Sequence, residues 1–369
     1  MRADNRLRVR YICGLAGNAD VDRCNAMTAH GWDVTCIQKP LADEGYRWDE
    51  TIPRSFRMLQ PAFPFATWRA GWTLVRQAVG GRCDVSIFYG YQKPSLFFAA
   101  LLCRLLGRRV ISMNDSKFED QQRSFLRDAA KIVMLSPYHG FLAATERAAA
   151  YLSYFVRRST SVYLCAIDQT RFLKPLADAQ LRPLPFDERP FLCVARFLAK
   201  KNFRGLLDAY AAYLTAASAG TPPRRLVLCG YGEQEEVLRG WIAADPRLRA
   251  NVDISPTTDA TTVIQLLAEC LCLVLVSEHE EFGIIVTEAL AARRPVIVSP
   301  RCGATDIVRP MVNGLVVAHN DPAGIAEAMA WMGADEACWI RMGRAGPPAA
   351  DRADARHFCT HVARAARLA

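Results

Sequence analysis

The sequence lacks the cysteine spacings that mark zinc sites and disulfide frameworks. Its 13 cysteines include no Cys-x-x-Cys pair, and only Cys270 and Cys272 stand close together, beside an apolar segment. Structural zinc sites and small secreted scaffolds both need regularly spaced cysteines. We therefore expect most of these thiols to be reduced and buried.

Long apolar runs are also missing. The longest, such as Leu96–Cys103, are far shorter than the roughly 20 residues that cross a bilayer as a helix. The apolar patch behind the charged N-terminus ends at Gly14, which is too short for a signal peptide. No repeat or low-complexity tract stands out. These features predict a soluble, cytoplasmic protein.

The balance of charge is positive. The 369 residues carry a formal net charge of +9, with 51% hydrophobic and 22% charged residues. This length exceeds what one core usually covers, so two domains are expected, and the hydrophobic content excludes a disordered chain. The excess of cations favours acidic partners, namely a nucleotide-sugar, a phosphorylated lipid, an anionic membrane surface or a nucleic acid.

The chain opens with the pattern of a Rossmann-like unit. A strand at Leu7–Cys13 leads into a glycine loop at Gly14, a helix at Ala19–Ala29 and a second strand at Trp32–Ile37. The loop lacks the full dinucleotide fingerprint, so no bound NAD is predicted. Its glycines could equally serve a tight turn.

Further along the first half, polar residues follow predicted strands. The strand Arg109–Met113 ends in Asn114 and Asp115, where an acceptor could bind, although capping of a helix explains Asp115 equally well. We interpret Lys131–Ser136 as another strand, followed by a helix that begins around His139. His139 is either a ligand contact at that helix start or an ordinary surface histidine.

An arginine- and aromatic-rich segment precedes these strands. Between Glu50 and Asp84 there are no acidic residues, while five arginines are interleaved with five aromatic residues: Arg54, Arg57, Arg69, Arg76 and Arg82, with Phe56, Phe63, Phe65, Trp68 and Trp72. Such a segment suits a membrane interface or a lipid phosphate. A helix with its basic residues in solvent is equally consistent with the pattern, because Pro53, Pro61 and Pro64 interrupt any long amphipathic helix.

The most informative segment lies between Glu280 and Glu288. It follows the apolar run Leu271–Val276, which is typical of a buried parallel strand, and helical spacing begins at Ile284. A strand-to-helix junction offers backbone N–H groups and the positive end of a helix dipole to a phosphate. The two carboxylates could accept hydrogen bonds from sugar and ribose hydroxyls, or could merely cap the helix.

This segment resembles the Glu-x-Phe-Gly-x-x-x-x-Glu signature of the retaining family-4 (group 1) glycosyltransferases of the GT-B fold. The resemblance implies an α/β protein with two Rossmann-like domains facing each other across a cleft. It further implies transfer of a sugar from a nucleotide-sugar, such as a UDP- or GDP-sugar, to an acceptor hydroxyl with retention of configuration.

The resemblance assigns roles to individual residues. Glu280 would lie near the donor sugar, the backbone of Gly283 and Ile284 after Phe282 would contact that sugar, and Glu288 would bind the ribose.

The loop after the strand Phe191–Val194 completes the resemblance. It carries Arg196 and Lys201, which would hold the donor diphosphate, while Gly230 and Gly232 follow the next strand and would border the base. Two cations can neutralise the charge of a departing nucleoside diphosphate, so no metal or other cofactor is implied. The chain departs from the family at Cys302-Gly303 and Asp306, where Gly-Gly-x-x-Glu is common, and no acceptor histidine stands at Asn114.

The resemblance also predicts the domain organisation. Residues 1–173 would bind the acceptor, a proline-rich linker would span 174–190, residues 191–345 would bind the nucleotide-sugar, and a helix within 346–369 would return to the first domain. Gly14, Asn114, Asp115 and His139 are the candidate acceptor-binding residues.

Several functions fit these sequence features. A glycan or lipid-linked acceptor in surface polysaccharide or lipid-linked oligosaccharide assembly is favoured, and a small natural product is the second candidate. A phosphorylase is a third candidate, although no pyridoxal-phosphate lysine motif is recognisable, and a non-catalytic sugar- or nucleotide-binding protein is a fourth. Nucleic acid is not expected as a partner, since no RNA-binding module is present.

Overall fold

Parallel sheets flanked by helices make up this protein. The computed structural model describes residues 6–14, 17–38, 52–59, 68–120, 124–171, 173–174, 184–216, 222–255 and 260–368. The chain forms two compact units, Met1–Asp168 with Ala353–Ala369, and Gln169–Arg352. The predicted linker at 174–190 lies partly outside the described residues, as do Phe63, Phe65 and the side chain of Trp68 in the arginine- and aromatic-rich segment.

In the described residues, seven strands form the sheet of the first unit and six form the sheet of the second. The first sheet has the order β3-β2-β1-β4-β5-β6-β7 and the second the order β10-β9-β8-β11-β12-β13, with every neighbouring pair parallel. The strands are β1 Arg8–Cys13, β2 Asp33–Gln38, β3 Arg57–Leu59, β4 Val85–Tyr89, β5 Arg109–Asn114, β6 Gly140–Ala143, β7 Ser159–Val162, β8 Phe191–Val194, β9 Leu226–Cys229, β10 Val252–Ser255, β11 Cys272–Leu275, β12 Val296–Val298 and β13 Gly314–Val316.

The helices connect these strands. In the described part of the chain they are α1 Asn18–Ala29, α2 Trp68–Val79, α3 Pro94–Leu105, α4 Phe125–Leu135, α5 Glu146–Phe155, α6 Phe203–Ala216, α7 Glu235–Ala244, α8 Pro246–Asn251, α9 Ala260–Glu269, α10 Ile284–Ala291, α11 Pro322–Met332, α12 Glu336–Arg344, α13 Gly346–Asp351 and α14 Phe358–Ala366. None of these helices is long and apolar enough to cross a membrane. The predicted α/β class with two Rossmann-like sheets is confirmed.

The buried strands explain this architecture. Strands such as β6 and β11 are buried along their whole length, because helices cover both faces of a parallel sheet. Each unit has its own apolar core, with Phe88 and Phe141 in the first and Phe191 and Leu226 in the second. All 13 cysteine thiols are free and 11 of them are buried, which agrees with the expectation of reduced thiols.

One predicted strand is wrong. Residues 131–136 belong to helix α4 and its end, and the helix predicted to begin around His139 is instead the strand β6, Gly140–Ala143. Short apolar runs with β-branched residues fit either structure, so their spacing alone does not separate the two. Here the apolar residues Ile132 and Val133 face outward from a helix, 48% and 58% exposed.

The C-terminal helix α14 packs on the first sheet. The Ser159 hydroxyl donates to the Arg364 carbonyl at 2.9 Å, and Ser161 Oγ lies 2.9 Å from His361 Nδ1. A Cβ atom at Gly140, in β6, would lie 2.0 Å from the Ala365 carbonyl oxygen. Glycine at this position therefore allows the helix to rest directly on the strand.

We predict that Gly140→Ala destabilises the first unit by about 1–3 kcal/mol, because the added methyl group must push α14 off the sheet. The urea midpoint of unfolding measures this loss. Gly240→Ala is the matched control, since a Cβ atom there in helix α7 would meet nothing within 4 Å, and we expect it to be neutral or slightly stabilising. Equal midpoints for Gly140→Ala and wild type would contradict the packing described here.

Candidate functional site

The strand order of the second sheet creates a natural binding crevice. Strands β9 and β10 lie on one side of β8, and β11 to β13 lie on the other. Open α/β sheets bind ligands outside the carboxyl ends of the strands at such a switch point. Arg196 and Lys201 follow β8 and Glu280 follows β11, so these three predicted residues come from the two strands that flank the switch point.

An ion pair joins the two loops. Lys201 Nζ lies 2.5 Å from Glu280 Oε2, and the two side chains are only 9% and 12% exposed. Two buried charges are costly unless they are paired, so each side chain holds the other in place. Beside this pair, Lys200 Nζ contacts Glu281 Oε1 at 2.8 Å in a more exposed position.

Backbone contacts fix the same two loops. The amides of Glu278 and His279 both donate to the Lys200 carbonyl, at 3.0 and 3.2 Å. Asn202 ends the short turn Ala199–Lys201 in the left-handed conformation, with φ of +59°. Its side-chain amide donates to the carbonyls of Val276 at 3.0 Å and His319 at 2.8 Å. The loop that carries Lys201 is thereby attached to the segment that follows β11.

Gly283 begins helix α10 in a conformation that suits glycine. Its φ is +92°, and an added Cβ atom would lie 3.0 Å from Cys302 Sγ and 3.1 Å from Leu275 Cδ2. Phe282 is buried, and its carbonyl accepts from the Ala304 amide at 2.6 Å. The Val286 amide donates to the Gly283 carbonyl at 2.9 Å. The amides of Ile284 and Ile285 precede the first hydrogen bond of the helix, so this end presents these two donors and the positive end of the helix dipole.

The glycine turn after β9 packs against the loop that follows β8. The Phe197 amide donates to the Tyr231 carbonyl at 2.7 Å, and the Gln234 amide donates to the Phe197 carbonyl at 3.0 Å. A Cβ atom at Gly230 would lie 1.9 Å from the Ala195 carbonyl oxygen, and one at Gly232 would lie 2.6 Å from that of Phe197. Close contact between these two loops therefore accounts for both glycines.

Two further predicted residues complete this edge of the sheet. Arg196 is half-buried in the loop after β8, and Glu288 is half-buried in α10, one turn beyond Ile284. The predicted residues of the second unit therefore lie on three segments that leave neighbouring strands at their carboxyl ends. Hydrogen bonds or an ion pair connect the segment after β8 to each of the other two.

The predicted acceptor residues of the first unit do not all lie together. Gly14 and Asp115 follow β1 and β5 at the carboxyl edge of the sheet. The Tyr89 hydroxyl donates to Asp115 Oδ2 at 3.2 Å, and burial together with this carboxylate raises the pKa of Tyr89. Asn114 is buried and donates to Ser112 Oγ at 3.2 Å, which gives it a structural contact within its own strand. Tyr89 could not be singled out from the sequence, because the last residue of an apolar strand resembles a core position.

His139 lies at the opposite, amino edge of the same sheet. Its amide donates to the Val110 carbonyl at 2.7 Å, and its Nδ1 accepts from the Val110 amide at 3.1 Å. Burial and the nearby cations Arg104 and Arg109 lower its pKa. The residue precedes strand β6 and does not open a helix, so the predicted helix start at which His139 would contact a ligand is wrong.

One segment has the Asp-x-Asp spacing of a metal motif. Asp20 and Asp22 lie in α1, where the Asp20 carboxylate accepts from Tyr11 at 2.6 Å and Arg23 at 3.1 Å. Asp22 accepts from the Asp168 amide at 3.1 Å. Within the residues that the structure describes, no group of three or more His, Cys, Asp or Glu side chains could hold a metal ion.

Comparison with known proteins identifies the second half of the chain. Residues 179–347 match the family model of glycosyl transferases group 1. This segment belongs to that family. The group 1 glycosyltransferase segment contains all of the predicted donor-site residues, so the resemblance stated from the Glu280–Glu288 signature is confirmed.

Individual relatives are more distant. The chain is 30% identical over 140 residues to an uncharacterized glycosyltransferase of Methanocaldococcus jannaschii, covering 38% of this chain and 34% of that protein. It is 28% identical over 162 residues to the lipopolysaccharide core biosynthesis glycosyltransferase LpsE of Rhizobium meliloti, covering 44% of each. The matched stretches thus span between a third and a half of these relatives.

The fold is shared over nearly the whole chain. The crystal structure of Anabaena HepE in complex with UDP and glucose aligns with a TM-score of 0.73 at 14% identity, covering 97% of this chain and 98% of that one. At this identity the likeness concerns the GT-B type of fold alone.

The ion pair between Lys200 and Glu281 should make the stability of the folded protein depend on pH. Burial raises the pKa of Glu281, but the hydrogen bond from Lys200, its own backbone amide and the charges of Lys200 and Lys201 outweigh burial and hold the pKa at about 2, below the usual 4.5. The ionised Glu281 carboxylate therefore stabilises the folded protein fully above pH 4.5, and this stabilisation is lost as the pH falls towards 2.

We expect Glu281→Gln to lower the urea midpoint of unfolding at pH 6 and to differ less from wild type at pH 3.5. The exposed-helix variant Glu236→Gln serves as the control for a carboxylate outside this pair. If the urea midpoint of Glu281→Gln lies equally far below that of wild type at both pH values, the ionised carboxylate is not what stabilises the loop.

Proposed function

We propose that this protein is a retaining glycosyltransferase that moves a sugar from a UDP- or GDP-sugar to an acceptor hydroxyl. The observation that carries the proposal is the Lys201–Glu280 ion pair at the switch point of the second sheet. It places a cation and a carboxylate side by side, next to the helix end that begins at Gly283. A sugar diphosphate needs both kinds of group within a short distance.

In this proposal the diphosphate binds the cationic side of the site. Arg196 and Lys201 neutralise the charge that grows on the nucleoside diphosphate as the sugar leaves. An ammonium group has three donors, so Lys201 can keep its bond to Glu280 and still donate to a phosphate oxygen. The amides at the start of α10 contribute further donors and the positive end of the helix dipole. This scheme requires no metal or cofactor.

The carboxylates recognise hydroxyl groups in the same scheme. Glu280 accepts from the donor sugar, with the backbone after Phe282 along its other side, and Glu288 accepts from the ribose. Glu280 is held by Lys201 and takes no nucleophilic part, so retention follows from attack on the face that the diphosphate leaves. Gly230 and Gly232 shape the loop that borders the base.

We assign acceptor binding to the first domain, residues 1–173, and donor binding to residues 191–345. Gly14 and Asp115, with Tyr89 as the partner of Asp115, are the acceptor candidates that share the carboxyl edge of the first sheet. Similarity to LpsE supports an acceptor in surface polysaccharide or lipid-linked oligosaccharide assembly. The UDP and glucose named for the Anabaena structure support a UDP-sugar as donor. The proposed location is the cytoplasmic face of a membrane.

Neutral substitution of neighbouring lysines tests this function. Lys201→Met should lower the release of UDP or GDP from a panel of nucleotide-sugars by about 10²–10³-fold, since one donor to the leaving diphosphate is lost. Lys200→Met is the matched control, because Lys200 pairs with Glu281 instead, and its rate should stay within a few-fold of wild type.

A second variant separates chemistry from folding. Lys201→Met leaves Glu280 buried without its partner, so the double variant Lys201→Met with Glu280→Gln should recover the melting temperature but not the release rate. Release at the wild-type rate by Lys201→Met would reject the proposed role of this lysine. Binding of nucleotide-sugars by wild type with no release for any acceptor tested would favour a non-catalytic protein.

A further inference from the structure

Helix α4 of the first unit turns its apolar side outward. Phe125 and Leu126 are 84% and 77% exposed, and Ile132 and Val133 further along are 48% and 58% exposed. The polar residue Lys131 faces inward, where its Nζ contacts the Tyr151 hydroxyl at 2.5 Å and lies over the rings of Tyr151 and Phe155. A surface helix normally has the reverse orientation, so this exposed stripe is suited to an apolar environment.

A second exposed apolar face adjoins the end of α4. At the end of α3, Leu102, Leu105 and Leu106 are 39%, 73% and 57% exposed. Between them, Arg104 Nη1 donates to the carbonyls of Ser136 at 3.2 Å and Pro137 at 3.1 Å, directly after α4. These contacts join the two helix ends at the amino edge of the first sheet.

Cations gather at the same edge. A pocket of about 390 Å³ is lined by Arg109, His139, Val156, Arg157, Arg158 and Arg367. Burial and the charges of Arg104 and Arg367 lower the pKa of Arg158. Segments 94–114, 129–145, 156–167 and 355–369 contain no Asp or Glu. In the described residues, no carboxylate pairs with Arg109, Arg157, Arg158 or Arg367.

Other arginines near this edge have structural roles. Arg10 and Arg108 both donate to the Ala78 carbonyl near the end of α2, at 2.6 and 2.7 Å, and thereby cap that helix. The arginines of the pocket have no comparable bonds to helix ends among the described residues. Their grouping therefore concentrates positive charge at a place where folding does not require it, and such a grouping suits phosphate groups.

We propose that this face, made of the outer side of α4, the end of α3 and the arginine pocket, docks the protein on an anionic phospholipid bilayer. Phe125, Leu126, Ile132 and Val133 enter the boundary between headgroups and acyl chains, and the arginines bind lipid phosphates. Charge favours a membrane over a second copy of this chain, because a symmetric contact through this face would set arginine against arginine.

This inference goes beyond the proposed sugar transfer and does not depend on it. It also differs from the sequence-based expectation, which placed membrane contact in the arginine- and aromatic-rich segment that contains Trp72. Trp72 on α2 is 65% exposed, so the two surfaces can be compared directly by substitution.

Flotation with vesicles tests the proposal. At low salt, wild type should float with vesicles of phosphatidylglycerol and phosphatidylcholine and not with phosphatidylcholine alone. Arg157→Gln with Arg158→Gln should weaken binding about 30-fold, at about 1 kcal/mol per cation near an anionic surface. Phe125→Ser with Leu126→Ser should weaken it at least about ten-fold, since two large apolar side chains no longer enter the interface.

Matched controls exclude unrelated explanations. Val237→Ser, an exposed apolar position 47% accessible on α7 of the second unit, and Trp72→Ser should both bind vesicles as wild type does, with melting temperatures unchanged. Loss of flotation in Trp72→Ser but not in Phe125→Ser with Leu126→Ser would overturn the proposal. The proposal would also be overturned if wild type did not bind anionic vesicles. A dimer in solution that Phe125→Ser with Leu126→Ser converts to a monomer would overturn it as well.

Discussion

The proposed donor site depends on one buried ion pair. Lys201 and Glu280 lie far apart in the sequence, but the strand order of the second sheet brings the ends of β8 and β11 together, and the two side chains meet there. Replacing either charge alone removes the ion pair and leaves the other charge in a buried position, which is costly. The pair therefore links the shape of both loops to the cation and the carboxylate that the proposed function assigns to a sugar diphosphate.

Tight backbone packing surrounds this pair. Gly230 and Gly232 let one loop lie against the Ala195–Phe197 segment, and Gly283 lets helix α10 begin close to Cys302. Hydrogen bonds and close contacts hold these loops, so the fold itself fixes the positions of the cations and carboxylates of the proposed site. Such preorganisation is the main source of electrostatic stabilisation in enzyme sites.

Much of the fold around the candidate site could be predicted from the sequence, for physical reasons. The run Leu271–Val276 followed by helical spacing at Ile284 specifies a strand-to-helix junction, and the cations after Phe191–Val194 specify a second one. The contact between Lys201 and Glu280 could not be derived from pattern, because it depends on which strands neighbour each other. Ile132 and Val133 misled the interpretation, since an outward apolar stripe on a helix has no local signal that separates it from a buried strand. The inward position of Lys131, beside Tyr151 and Phe155, is what turns Ile132 and Val133 towards the surface.

A crystal structure of the protein with bound UDP or GDP would locate the nucleotide relative to this ion pair. We expect the diphosphate between Arg196, Lys201 and the first amides of α10, the ribose hydroxyls on Glu288, and Lys201 still within hydrogen-bonding distance of Glu280. A nucleotide bound away from the ends of β8 and β11, with the Lys201–Glu280 pair facing only solvent, would contradict it.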